Sequence, residues 1–443
     1  MIKGMKRRFL FCCCLFLLVG CGQGQSETSG NISSPEPESI ASYEVLYAHG
    51  DKDAVFKDAF FEAPSSTYSK DLALLCFAFS NVALEKDRID GFYKSLKFEN
   101  PCYPQPFLDG KHQKENAYYA FASRPMDGYY LINVTFDGFE YMEEWHDNFA
   151  MGATGIQSSY KKTSDKAYAN FLDYIAQYSK YKTKVFITGY SRAGAIAEIF
   201  SASLTDDAEK YGMTADDIYS YSIEAPSSDP SPKEYRNIHH IVNDQDMVPL
   251  LPPDQYGMKP YGVIHQVYDD EIASYVKEEF GIDLPPYTPI LDCPTRRAFN
   301  LKMSAMLFEI HPNDSSAIDV STREKYVNTL EAPLSNMVGN FMSKGSEAIA
   351  EAFGDLGEVN WIATVASAKG FADLMVRIAD LADLDYPEEE LRQDAAKVYP
   401  LLQTLIKYHL TDLLLLKDTL LDNLKSIIEM HMPSALYCLI KHS

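Results

Sequence analysis

Apolar and polar positions along the first part of the chain follow two alternating periods. Short runs rich in β-branched and aromatic residues predict strands at GYYLINVTF, KVFIT, DIYSYSIEAP and IHHIVND. Other stretches carry apolar residues at helical spacing, including SKDLALLCFAFSNVALEK and SDKAYANFLDYIAQYSKY. In the second of these helices, Ser164 is the predicted N-cap. Strands that alternate with helices predict an α/β fold with a mostly parallel sheet covered on both faces.

The pattern changes after about Tyr268, and from there to about Ile428 the periodicity is helical almost throughout. We interpret this region as a large helical cap inserted into the α/β core. Its run LTDLLLL favours packing between helices over a lid that dips into a membrane. The expected organisation is a core over 44–268, a helical cap or insertion over 269–428, and a return to the core over 429–443.

The first residues show the pattern of a processing signal. A basic segment precedes an apolar run too short to span a bilayer comfortably, and the run ends in Leu-Val-Gly before Cys21. This resembles the bacterial lipobox, whose cysteine is diacylated and becomes the mature N-terminus. We expect a signal peptide over 1–20, a flexible tether over 21–43, and a lipid on Cys21 that holds the protein on the extracytoplasmic side of a bacterial cell membrane. An ordinary secretory peptide or a short membrane anchor is the alternative.

The net charge of the chain limits the kinds of molecule that it is expected to bind. The 443 residues carry a formal net charge of −23, and loss of the four basic residues of the signal would leave −27. Such an acidic surface argues against nucleic acid and against electrostatic docking on anionic lipid, so membrane association would depend on Cys21. The later cysteines form no C-x-x-C or zinc pattern. The sequence does not decide whether Cys102 and Cys293 form a disulfide. No metal or organic cofactor is indicated.

The segment VFITGYSRAGAI, 185–196, carries the candidate nucleophile. A strand that stops at Gly189 and a helix that starts at once would place Ser191 on a tight elbow above the helix N-terminus. The usual elbow reads G-x-S-x-G, whereas here Ala193 occupies the second glycine position and Gly194 follows it. An ordinary serine in a tight turn is the alternative, because a serine hydroxyl becomes nucleophilic only beside a base with an orienting acid.

Four segments together point to one family. In chain order they are VTFDGFEYMEEWHDNF, ITGYSRAGA, YSYSIEAPSS and DMVPLLPP. They resemble the oxyanion segment, the T-G-H-S-L-G-G-A elbow, the following strand with its A-P turn, and the D-x-V-P-x-L-P-P run of the class 3 (fungal-type) lipases, and more closely of their bacterial Firmicutes relatives. The resemblance covers about Tyr129 to Tyr261. It implies an α/β-hydrolase with a Ser-His-Asp triad that cleaves acyl esters, such as lipids.

The resemblance assigns further roles. Asp246 is the triad acid because it occupies the D-x-V-P position, while Asp244 is a neighbouring competitor typical of a turn. The backbone N–H groups of Arg192 and Phe139 would form the oxyanion hole. Asp137 and Phe139 stand where the family has arginine and a residue with a hydroxyl group. These departures are consistent with an unusual substrate or with an enzyme that has lost its activity.

The base should follow Asp246 in the order Ser…Asp…His, which leaves the five histidines His265, His311, His409, His431 and His442. His431 begins HMPSALYCLI, and the bacterial relatives end in a similar H-x-P-x-x-Y run. Pro433 would keep this loop out of a helix and start the next helix. We predict His431 as the base, with His265 as the main alternative.

The predicted function is therefore a lipase or carboxylesterase. Two alternatives remain. One is a hydrolase-fold lipoprotein that has lost catalysis and binds a hydrophobic ligand or a surface partner. The other is an enzyme that acts on amide or thioester bonds, because the same triad serves all acyl transfer.

Overall fold

The computed structural model describes residues 41–47, 49–83, 86–104, 118–137, 150–286, 289, 293–308, 316–342, 352, 355–356, 364, 366–404 and 429–443. The signal with Cys21, the oxyanion residue Phe139, and the alternative bases His311 and His409 lie outside these ranges. The predictions made for those residues therefore stay predictions.

A seven-stranded sheet forms the centre of the fold. A separate antiparallel hairpin, β1 (Ala41–Tyr47) and β2 (Gly50–Phe56), precedes it. The sheet order is β3 (Glu99–Cys102), β4 (Tyr119–Met126), β5 (Tyr129–Phe136), β6 (Thr183–Tyr190), β7 (Ile218–Ile223), β8 (Ile238–Asn243) and β9 (Val263–Val267). Strands β3 to β5 pair antiparallel, and β5 to β9 pair in parallel. The carboxyl ends of five adjacent strands therefore meet along one edge.

Helices cover both faces of this sheet. On the first face lie α1 (Lys70–Val82), α2 (Lys86–Ser95), α5 (Ile272–Phe280) and α11 (Pro433–His442). On the second face lie α3 (Ser158–Ile175) and α4 (Arg192–Asp206). Along β6, Phe186 packs on the first face while Val185 and Ile187 pack on the second. The predicted α/β-hydrolase fold is confirmed, and burial on two sides explains the continuous apolar runs of its central strands.

Helix α3 begins earlier than the sequence predicts. It starts at Ser158 rather than after Ser164, and its cap is Gln157, whose side-chain oxygen accepts the Tyr160 N–H at 2.8 Å. Ser164 is buried within the helix. The prediction was wrong because polar Thr163 and Ser164 occupy the buried face, where an apolar period would have revealed the first turns.

Further helices pack together in a third apolar cluster, which we call the cap cluster. They are α6 (Arg296–Leu307), α7 (Val320–Tyr326), α8 (Ala332–Met342), α9 (Ala368–Leu381) and α10, over 388–404. A π-helical turn, Val327–Glu331, joins α7 to α8. The cluster also contains Met151 and Met247, so these helices lie against the loop that carries Asp246. The domain boundaries themselves stay predictions.

Two smaller expectations concern the cysteines and the membrane. Cys102 packs beside the second-face cluster and Cys293 belongs to the cap cluster, and no disulfide joins them. Among the described residues, no helix combines the length and apolar character needed to cross a bilayer.

Candidate active site

Ser191 forms the sharp turn between β6 and α4. Its backbone has φ 57° and ψ −131°, a conformation that residues with a side chain rarely adopt. Its N–H donates to the Ile223 carbonyl at 2.8 Å, and its own carbonyl accepts from the Gly194 N–H at 2.9 Å. The neighbouring strand and the helix thus hold the strained turn in place, as a nucleophile elbow requires.

Two glycines give this elbow its room. A Cβ at Gly189 would lie 2.2 Å from the Ala193 carbonyl oxygen, and a Cβ at Gly194 would lie 2.8 Å from the Ala225 Cβ. Ala193 itself is fully buried in the apolar cluster of the second face. The methyl group that departs from the usual motif is therefore accommodated, and the close approach occurs one position later, at Gly194.

The three predicted triad residues converge at the carboxyl edge of the sheet. Ser191 Oγ lies 2.9 Å from His431 Nε2, and His431 Nδ1 is hydrogen-bonded to Asp246 Oδ2. Asp246 is only 1% exposed, and its Oδ1 accepts the Val248 N–H at 2.9 Å. With the proton on Nδ1, the imidazole presents Nε2 as an acceptor to the serine hydroxyl. This arrangement joins a nucleophile, a base and an orienting acid.

His431 is also fixed through its ring and its backbone. The Tyr190 ring stacks on the imidazole, with centroids 5.1 Å apart and planes inclined by 23°. The Tyr190 hydroxyl donates to the His431 carbonyl, and Asn243 Nδ2 donates to the Met430 carbonyl at 3.1 Å. Pro433 begins α11 at its first position, as the sequence predicts. The base is thus held by elements on both sides of it.

The other described histidines downstream of Asp246 lie elsewhere. His265, on β9, has its Nε2 2.9 Å from His239 Nδ1 and stacks on Tyr68 with centroids 4.1 Å apart. Burial and the neighbouring histidines lower the pKa of His265 to about 4. His442 stacks on Tyr275 with centroids 4.0 Å apart. The described contacts of these two histidines therefore do not lead to the elbow.

One of the two predicted oxyanion donors can be placed. Arg192 is the first residue of α4, and N–H groups in the first turn of a helix do not bond within the helix. The Arg192 side chain is buried over the Tyr160 ring, 5.8 Å from its centroid. Asp137 is 1% exposed at the end of β5, and its N–H donates to the Tyr118 carbonyl.

Glu224 is a buried acidic residue beside the triad, and no motif in the sequence points to it. It directly follows β7, is fully buried, and has φ 51°. Burial, and next the negative charge of Asp246, raise the pKa of Glu224 well above its usual value. The one signal in the sequence is an acidic residue between a buried apolar strand and an Ala-Pro turn.

Glu224, Asp246 and His431 each place one oxygen or nitrogen atom within 4.8 Å of the others. Carboxylate and imidazole groups at such distances are able to hold a metal ion. However, the Nδ1 atom of His431 is already hydrogen-bonded to Asp246. The arrangement therefore fits a proton-sharing network better than a set of metal ligands.

Comparison with known proteins supports the same family. The sequence model of the family described as Lipase (class 3) matches residues 129–256. The lipase of Rhizomucor miehei is 26% identical over 151 residues, which make up 31% of this chain and 40% of that lipase. The chain thus spans less than half the length of this relative.

Two solved structures are similar over part of the chain. The propeptide complex of the Rhizomucor miehei lipase aligns with a TM-score of 0.35 and 18% identity over 46% of this chain and 71% of that chain. Lipase II from Rhizopus niveus aligns with a TM-score of 0.35 and 13% identity over 46% and 83%. The fold assignment rests on the chain's own sheet order and elbow. Residues 129–256 of the chain thus match the sequence model of the class 3 lipase family.

Proposed function

We propose that the protein is a serine hydrolase that cleaves acyl esters, as a lipase or carboxylesterase. The observation that carries this proposal is the convergence of three residues from distant parts of the chain. Ser191 Oγ is 2.9 Å from His431 Nε2, and the opposite ring nitrogen is bonded to buried Asp246. A protein that only bound a ligand would have no physical need for a strained serine in contact with an oriented imidazole.

The proposed reaction follows the geometry. Ser191 Oγ attacks the ester carbonyl while His431 Nε2 takes the hydroxyl proton, and the imidazolium returns that proton to the leaving alcohol. Asp246 keeps the ring in the required tautomer and stabilises its positive charge. In this reaction the Arg192 N–H, in the first turn of α4, donates to the oxygen that becomes negative. Water then attacks the acyl-enzyme by the same proton transfers in reverse order.

An apolar acyl group is the best match to the surroundings of the triad. Met247, adjacent to Asp246, is buried in the cap cluster together with Met151 and Tyr256. The helices of the cap cluster therefore bring apolar side chains to the edge of the sheet where the triad lies. The free energy of an acyl chain falls when it leaves water for such an environment, whereas that of a polar substrate would not.

We further propose that the protein works on the extracytoplasmic side of a bacterial membrane, held by a lipid on Cys21. The support is the basic and apolar leader that ends in Leu-Val-Gly-Cys. Cells fed a labelled fatty acid should incorporate it into the native chain, and not into a Cys21→Ser variant. Equal labelling of both chains would contradict the anchor.

Acyl substrates with different leaving groups test the reaction type. The chain in detergent should hydrolyse p-nitrophenyl esters, and its kcat/KM should exceed that for the matched p-nitroanilide by about 100-fold or more, because an anilide is the harder bond to break and needs more transition-state stabilisation. A series of acyl lengths and one matched thioester complete the panel. A preference for the anilide or the thioester would overturn the ester assignment. A folded protein that hydrolyses none of them would favour the ligand-binding alternative.

A further inference from the structure

Glu224 has a backbone conformation that glycine would adopt at a lower cost in free energy. Its φ of 51° is in the left-handed region, where a side chain is disfavoured and glycine is not. Its N–H donates to the Ile241 carbonyl of β8 at 2.9 Å, so pairing with the neighbouring strand imposes this conformation. A fully buried acid at such a position combines a backbone cost with a desolvation cost. Both costs indicate that the carboxyl group itself has a role.

The two carboxyl oxygens of Glu224 have different surroundings. Oε1 accepts the Asn243 N–H at 2.6 Å. Oε2 is buried and meets no N–H or O–H donor among the described residues. One carboxyl oxygen of Glu224 lies within 4.8 Å of one carboxyl oxygen of Asp246. Asp246 already accepts from the Val248 N–H and from His431. Two ionised carboxyl groups that are buried this close together repel each other strongly, so we expect Glu224 and Asp246 to keep one proton between them.

The charges around this pair decide which acid keeps the proton. Among the described residues, Asp244 and Asp246 face Glu224 from the loop after β8, and His431 faces it from the end of the helical segment 429–431 that precedes α11. Asp246 accepts two further hydrogen bonds, one from the Val248 N–H and one from His431. Glu224 accepts only one and is fully buried, so its neutral form is favoured.

We propose that Glu224 is a positioning residue of the triad: its protonated carboxyl donates to Asp246 while accepting from Asn243, and so fixes the carboxylate that orients His431. This inference rests on the proposed hydrolase activity. The pair carries a single negative charge at neutral pH, as the acid of a triad needs. Asn243 connects the carboxyl pair to the base. Its N–H donates to Glu224, and its side chain donates to the Met430 carbonyl next to His431.

Two substitutions of Glu224 separate positioning from folding. In Glu224→Gln the amide can donate to Asp246 and accept from the Asn243 N–H, so kcat at neutral pH should stay within about threefold of the unmodified chain. Glu224→Gly removes the carboxyl but suits the left-handed backbone, so the protein should still fold. Its kcat should fall by about 10- to 100-fold with KM within about twofold, the usual effect of losing a hydrogen bond to a charged group.

A pH series gives a readout that does not depend on activity. A raised pKa means that folded Glu224 keeps a proton that the unfolded chain releases above about pH 4.3. The stability of the unmodified chain should therefore fall, relative to Glu224→Gln, as pH rises from that value through the folded pKa. The Tm of Glu224→Gln should exceed that of the unmodified chain by a margin that widens with pH.

Several outcomes would overturn this role. One is a folded Glu224→Gly protein with unchanged kcat, and another is a Tm difference that does not vary with pH. A Glu224→Gln protein as impaired as Glu224→Gly would show that an ionised carboxylate is needed, and loss of native activity in EDTA would show a bound metal instead. If the unmodified chain cleaves no ester, the proposed function fails, whereas the Tm series still reports on the Glu224–Asp246 pair.

Discussion

Replacing Ser191 or His431 with alanine should lower kcat toward an acyl ester by on the order of 10⁶-fold, and replacing both should lower it little further. The two side chains act as one unit, because the hydroxyl becomes nucleophilic only through the imidazole 2.9 Å away. Either loss leaves only substrate binding and the oxyanion donors. The measurement is kcat for a p-nitrophenyl ester in the two single variants and the double variant, with Tm as the check on folding.

His265 provides the matched control for His431. It also follows Asp246 in sequence, but it stacks on Tyr68 and contacts His239 rather than the elbow. His265→Ala should lower Tm because it removes a partly buried ring, and should leave kcat within about threefold. A large loss of kcat in His265→Ala, or an active His431→Ala protein, would contradict the assignment of the base.

Asp246→Asn should lower kcat by on the order of 10⁴-fold with little change in structure. The carboxylate accepts the His431 Nδ1–H and also the Val248 N–H. An amide in its place can present an NH₂ group to the ring, which favours the tautomer with Nε2 protonated and removes the acceptor for the serine proton. The charge that stabilises the imidazolium is lost as well. The measurement is kcat against pH for the variant and the unmodified chain.

Asp244 is the control for this second prediction, because it lies two residues earlier in the same loop and is only partly buried. Asp244→Asn should keep kcat within about threefold of the unmodified chain, because solvent screens the interaction between the partly exposed Asp244 charge and the triad. A large loss in Asp244→Asn beside a small loss in Asp246→Asn would reverse the assignment of the acid.

The parts of the site that the sequence predicts are those with a local pattern. Ser191 lies between a strand and a helix with glycines on both sides, and Asp246 lies in a short motif of fixed spacing. Strands β5 to β8 can also be predicted from the sequence, because each is a short run rich in β-branched and aromatic residues. In contrast, β4 contains Ser123, Arg124 and Pro125, which interrupt such a run although most of the strand is buried.

Other features depend on contacts that no local pattern records. The choice between His265 and His431 follows from tertiary packing, since both satisfy the required order along the chain. Glu224 becomes significant only because pairing of β7 with β8 brings it beside Asp246. The stacking of Tyr190 on His431 likewise joins residues that are far apart in sequence. A single sequence without the fold does not contain these pairings.

Labelling by a fluorophosphonate, which reacts with activated serines, shows directly whether Ser191 is the nucleophile. The chain in detergent micelles would be labelled beside its Ser191→Ala, His431→Ala and His265→Ala variants, and the label located by peptide mass spectrometry. We expect labelling at Ser191 in the unmodified chain and in His265→Ala, and no labelling in Ser191→Ala or His431→Ala. Absence of label in a folded unmodified chain, or label on another serine, would contradict this expectation.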